Sequence, residues 1–186
     1  MSDTILDVAE ASCVLLPQVA LPAPQTAHPV VSPDTSASLG GPVEIWTDGG
    51  CRPNPGPGGW AAILRGAKGE ERVVSGTETS TTNNRMELTA AIGALDALMR
   101  PCRVTVHADS EYLVLGMTVW LPRWQAARWR TSKGKTVENR DLWERLANAA
   151  APHEVDWKWT RGHAGDPMNE RVDRLATAAR EKEVRR

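Results

Sequence analysis

The 186-residue chain sets 22 Lys and Arg against 23 Asp and Glu, a net charge of −1, with 41% hydrophobic residues and 13 prolines. That length holds one domain of ordinary size with residues to spare. Three cysteines, Cys13, Cys51 and Cys102, are an odd number without metal-type spacing, and no apolar run reaches transmembrane length, so a disulfide framework and a membrane span are excluded and a cytoplasmic setting with reduced thiols is expected.

Residues 1–42 carry Asp3, Asp7, Glu10 and Asp34, no Lys or Arg, no Phe, Trp or Tyr, and prolines at 17, 22, 24, 29, 33 and 42. Little there can build a core, so the pattern predicts a disordered, Pro-rich acidic N-terminal tail followed by one domain over 43–186. Because every basic residue lies beyond the tail, that domain is mildly basic despite the near-neutral total. The apolar Val14-Leu15-Leu16 stops at Pro17, and the tail has neither the basic start of a secretory signal nor the Arg-rich pattern of a transit peptide.

Val43 to Thr47 reads as a first strand that turns at Asp48-Gly49-Gly50. Trp60 to Leu64 gives a second, Arg72 to Thr77 a third, with Gly66 to Gly69 as the hairpin between them. The period then changes: Met86, Leu88, Ala90, Ala91, Ile92, Leu95, Leu98 and Met99 make a helical stripe, capped by Thr82 to Asn84 and stopped by Pro101. Arg103 to Ala108 is a fourth strand and Glu111 to Met117 a short helix. After a Trp-rich basic segment come a helix over Asn139 to Ala149, a fifth strand over Val155 to Thr160 and a last helix over Met168 to Glu183. The order predicts a mixed α/β domain with helices covering a central sheet.

Four carboxylates stand in distinct contexts: Asp48 in Ile45-Trp46-Thr47-Asp48-Gly49-Gly50, Glu87 in Asn83-Asn84-Arg85-Met86-Glu87-Leu88, Asp109 in Val106-His107-Ala108-Asp109-Ser110, and Asp173 in Asn169-Glu170-Arg171-Val172-Asp173. Clustered acids oppose folding unless a cation neutralises them, and oxygen-only ligands suit Mg²⁺ and phosphodiester chemistry. Taken singly, Glu87 also reads as a carboxylate favoured by a helix N-terminus and Asp173 as part of a solvated face.

With the glycine run Asn54-Pro55-Gly56-Pro57-Gly58-Gly59 and with Arg161-Gly162-His163-Ala164-Gly165, these contexts resemble the bacterial-type (type 1) ribonuclease H family from about Val43 to about Arg180. The resemblance implies a ribonuclease H-like fold, a five-stranded mixed sheet flanked by helices whose first and fourth strands are parallel neighbours. It implies an endonuclease that hydrolyses the RNA strand of RNA/DNA hybrids by two-metal-ion catalysis, leaving 5′-phosphate and 3′-hydroxyl ends. Two Mg²⁺ ions, or Mn²⁺, would be held by Asp48, Glu87, Asp109 and Asp173, and His163 would assist proton transfer or product release.

Asn54, Asn83 and Asn84 align with family positions that contact the RNA strand, Thr82 and Asn139 with a pocket for a DNA phosphate. Arg128, Arg130, Lys133 and Lys135, interleaved with Trp120, Trp124 and Trp129, resemble a basic protrusion that grips the DNA strand. The competing reading of that segment is a solvated helix whose Trp120 and Trp124, at i and i+4, pack inward. Gly50 stands where family members often carry Ser, Ala or Cys, and Glu111 where some bacterial members carry Gln. The expected partner is the hybrid duplex alone, with no membrane, no obligate protein partner and a monomeric state. A hybrid-binding module without catalysis has no need of four acids, and a transposase or integrase would order them Asp, Asp, Glu, whereas Glu87 precedes Asp109.

Overall fold

The structure, a computed structural model, describes residues 40–162 and 165–185. The disorder expected of the tail and the position of His163 lie outside the described residues. Three antiparallel strands come first: β1 (Gly40–Cys51), β2 (Gly56–Arg65) and β3 (Glu71–Thr81). The hairpin between β2 and β3 closes through the Gly66 N–H to the Glu70 carbonyl at 2.9 Å. β1 begins three residues before Val43, where the sequence pattern starts it.

β4 (Cys102–Ala108) lies parallel to β1, and β5 (Glu154–Trp159) parallel to β4, giving a five-stranded mixed sheet in the order β3-β2-β1-β4-β5. Alternation along the strands divides the core between two faces. Ile45, Ala62, Leu64, Val104 and Val106 pack with α1 (Asn83–Asp96) and with Trp143 and Leu146 of α4 (Arg140–Ala150). Trp46, Ala61 and Ile63 pack with Val172 and Ala176 of α5 (Pro167–Val184).

The Thr82 hydroxyl caps α1 by accepting the Arg85 N–H at 3.4 Å, and the helix ends at Asp96, well short of Pro101. The helical segment after β4 runs further than its sequence pattern predicts. α2 (Glu111–Leu115) passes into a π-helical turn, Gly116–Trp120, and then into α3 (Leu121–Ala126). Pro122 brings no N–H of its own, and it is tolerated because the chain restarts as a first turn there, after the Leu121 N–H has reached back to the Gly116 carbonyl.

Candidate active site

The parallel pairing of β1 and β4 runs to Thr47 opposite Ala108, so Asp48 and Asp109 each come just after the last β1–β4 pair; Asp109 follows the end of β4, whereas β1 does not turn at Asp48 as its sequence pattern predicts but stays paired with β2 as far as Cys51. Ligands in open α/β sheets collect at strand ends of this kind. Glu87 arrives from the first turns of α1. A Cβ on Gly49 would overlap the Met86 carbonyl, so the missing side chain lets α1 settle against the end of β1 and brings Glu87 to Asp48. Carboxylate oxygens of Asp48, Glu87 and Asp109 then lie within 4.8 Å of one another. Asp173, on α5, lines the same cleft of about 270 Å³ without entering that close triad.

Burial, reinforced by the neighbouring charges of Asp48 and Asp109, pushes the Glu87 carboxyl well above the ordinary carboxylate range. Its Oε2 is buried without a hydrogen-bond partner among the described residues. Such a site is strained by its own like charges, and a hard cation would relieve it. All the donors are oxygens and one of them is an orphan, which fits a divalent metal with oxygen preference.

Two groups outside the sequence-derived set fix Asp109. The Asn169 Nδ2, on a residue only 4% exposed, donates to Asp109 Oδ2 at 3.4 Å, and the Trp159 Nε1 donates to the Asp109 carbonyl at 3.1 Å. Asn169 stands one helical turn before Asp173, an i, i+4 spacing that would have flagged it. Trp159 belongs to a different strand and carries no such local signal.

The amides expected near the RNA strand partly converge. Asn83 Oδ1 accepts the Cys51 N–H at 2.8 Å, and the Cys51 thiol lies 3.3 Å from both Asn83 Oδ1 and Asn54 Oδ1. With their oxygens engaged, both side chains keep amide N–H groups for an outside acceptor, while Asn84 is simply exposed. Thr82 and Asn139 come together through Arg85. Its backbone N–H reaches Thr82, its guanidinium donates to Asn139 Oδ1 at 3.4 Å and pairs with Asp141 at 2.8 Å. Asn139 itself is left-handed, φ 55°, and its Nδ2 donates to the Tyr112 hydroxyl at 3.2 Å.

Trp120 and Trp124 meet at 5.6 Å between ring centroids and join Tyr112 and Trp143 in one aromatic cluster, the inward packing that their i, i+4 spacing allows. Beyond them Arg128 and Trp129 turn the chain with φ 52° and 60°. Arg128, Arg130, Lys133 and Lys135 are exposed on the loop that follows, where Arg130 donates to the Gly134 carbonyl at 2.9 Å.

Comparison with known proteins points one way. A family model, RNase H, matches residues 41–181. A ribonuclease H of Acidiphilium cryptum is 65% identical over 147 residues, 78% of this chain and 91% of its own. One of Granulibacter bethesdensis is 60% identical over 147 residues, 79% and 97% respectively. Among solved structures, LC9-RNase H1, described as a type 1 RNase H with the type 2 active-site motif, superposes with a TM-score of 0.70 at 34% identity, over 77% of this chain and 74% of that one. LC11-RNase H1, solved in complex with RNA/DNA hybrid, gives 0.59 at 26% identity, over 76% and 99%.

Proposed function

The chain belongs to the type 1 ribonuclease H family of metal-dependent endoribonucleases, and from that premise we propose that it hydrolyses the RNA strand of RNA/DNA hybrids with two bound metal ions, leaving 5′-phosphate and 3′-hydroxyl ends. One observation carries the reading: Asp48 of β1, Asp109 just past β4 and Glu87 of α1 bring carboxylate oxygens within 4.8 Å of one another, and the Glu87 Oε2 is buried without a partner among the described residues.

Asp48, Glu87, Asp109 and Asp173 would hold the ions, Mg²⁺ by preference and Mn²⁺ as a substitute. When bound, the ions supply an activated water and charge stabilisation at the leaving oxygen. Asn169 keeps the Asp109 carboxylate in place through its 3.4 Å hydrogen bond. Asn54 and Asn83, their oxygens tied to Cys51, offer N–H groups to a 2′-hydroxyl, the group that separates RNA from DNA. Thr82 and Asn139 would take a DNA phosphate, and Arg128, Arg130, Lys133 and Lys135 would hold the DNA strand by charge, with Trp120 and Trp124 supporting them from beneath. His163 would handle a proton at the cleft or speed product release. The enzyme works as a cytoplasmic monomer in this reading. No helix among the described residues is long and apolar enough to cross a membrane.

The test is incubation with end-labelled RNA/DNA hybrid, RNA duplex and DNA duplex, each with Mg²⁺ and with EDTA. Cleavage of the hybrid's RNA strand alone, abolished by EDTA, is expected; equal cutting of DNA duplex would refute the proposal.

A further inference from the structure

The cleft that holds Asp48, Glu87 and Asp173 is also lined by a cation, Arg180. It stands seven residues beyond Asp173 on α5, two turns on and on the same face, so its Cα is about 10 Å further along the helix axis. The helix is held at this point by close backbone packing. A Cβ on Gly59 of β2 would overlap the backbone nitrogen of Arg180, so the last turns of α5 rest directly on the sheet and aim the side chain into the cleft. Its charge reaches the Cys51 thiol, where it opposes the rise that burial causes.

The other arginines of α5 that bear on the argument are occupied. Arg171 pairs with Glu71 at 2.6 Å, Arg174 with Glu170 at 3.9 Å, and Arg185, just past the helix, with Glu181 at 3.5 Å. Glu183 accepts the Thr77 hydroxyl at 2.7 Å. Among the described residues Arg180 makes no ion pair and its guanidinium no hydrogen bond, although three carboxylates line the same cleft. A planar fork of five donors standing at the rim of an acidic site, and not collapsed onto it, matches an anion brought from outside.

We propose that Arg180 binds a phosphate of the RNA strand next to the scissile one, and so sets the strand's register against the metal-binding carboxylates. The inference rests on the hybrid-cleavage reading above. Because the Arg180 Cα stands two turns beyond Asp173, the contact is assigned to the neighbouring phosphate and not to the one that is cut. Its contribution is therefore to binding: a charge-assisted, fork-shaped contact made equally in the bound and reacting complexes raises affinity without changing the chemical step. Asn83 lines the same cleft, and in the reading above it would meet the same strand at its sugars.

The experiment is steady-state cleavage of a hybrid over a series of salt concentrations by wild type, Arg180→Gln and Arg180→Lys, with a melting curve for each. Arg180→Gln is expected to raise KM about tenfold, the usual loss for a charge-assisted hydrogen bond, and to reduce the slope of log KM against log salt by roughly 0.7–0.9, one released counterion. Arg180→Lys recovers the slope and part of KM, because it keeps the charge and loses the fork. An unaltered KM and slope in Arg180→Gln overturns the proposal, as does a fall in kcat alone, which would move Arg180 onto the reacting atoms. A lowered melting temperature with unchanged salt slope also overturns it, since the role would then be structural. Absence of hybrid cleavage by the wild type would refute the enzymatic reading itself, a result distinct from all of these.

Discussion

In the proposed reading Asp109 joins two demands on this site, since its charge would hold a metal and also helps to push the Glu87 carboxyl up. Asp109→Asn keeps the shape and removes the charge, so it should abolish turnover while leaving hybrid binding within a few-fold. In EDTA the same variant should melt higher than wild type, by roughly 2–4 °C for each kcal/mol of repulsion relieved. A variant that turned over near the wild-type rate, or melted lower without metal, would contradict the assignment. Asn169→Ala should leave Asp109 charged but unanchored, costing about 10–100-fold in metal affinity or activity, read from a Mg²⁺ titration. At the far end of the sheet the His153 Nδ1 accepts the Cys102 N–H at 3.2 Å, and burial lowers its pKa. A histidine held neutral in the fold contributes stability above the ordinary value of about 6.5 and loses it as pH falls from there toward the lower folded value. The wild-type melting temperature should therefore fall more steeply than that of His153→Gln across that window; parallel curves would remove the effect. Asp48, Glu87, Asp109 and Asp173 were legible as candidates because each stands in a distinct local motif whose order the family resemblance picks out, and the structure brings the first three together with Asp173 lining the same cleft. Trp159 and Arg180 were not legible, because their neighbours are made by tertiary packing and their own surroundings in sequence are ordinary, while Asn169 carried a single signal, its i, i+4 spacing to Asp173.

At the scale of elements, the apolar periods marked the middle of each strand, but β1, β2 and β3 run on through glycines and polar residues that read as turn or loop, and the parallel neighbours β1 and β4 appear as the family resemblance implied. The segment from Gly116 to Ala126 was not marked in this way, since a π-helical turn shifts the helical register by one residue and leaves no period to read. The same segment decides between two roles for its aromatics. Trp124 packs against both Trp120 and Trp143, so Trp124→Ala should cost about 2–3 kcal/mol of stability, measured by denaturant melting; a loss near zero would put the ring on the surface. The exposed cations beyond it are a separate matter. Replacing Arg128, Arg130, Lys133 and Lys135 together by Ala should weaken hybrid binding and flatten its salt dependence by roughly 0.7–0.9 per lost phosphate contact. An unchanged slope with unchanged affinity would make the loop a solvated face.

For the molecule as a whole, charge and composition set residues 1–39 apart from the described domain. β1 begins at Gly40, and residues 1–39 contain no Phe, Trp or Tyr with which to pack a core and no Lys or Arg with which to hold phosphate. Deleting them should leave hybrid cleavage and melting temperature nearly unchanged, and a large loss of thermal stability would show that the segment docks. Sheet order also governs when the enzyme can become active. β1 is the central strand, yet its partner β4 begins at Cys102, after all of β2, β3 and α1. During synthesis the first three strands can fold back on one another, but one edge of β1 keeps its N–H and C=O groups bare until β4 emerges, an interval of seconds at about 5–20 residues/s. Asp109 and then Asp173 come later still, on the strand end and helix that complete the domain. On the proposed metal site, a nascent chain still on the ribosome lacks part of its ligand set and would leave intact any hybrid near which it is being made.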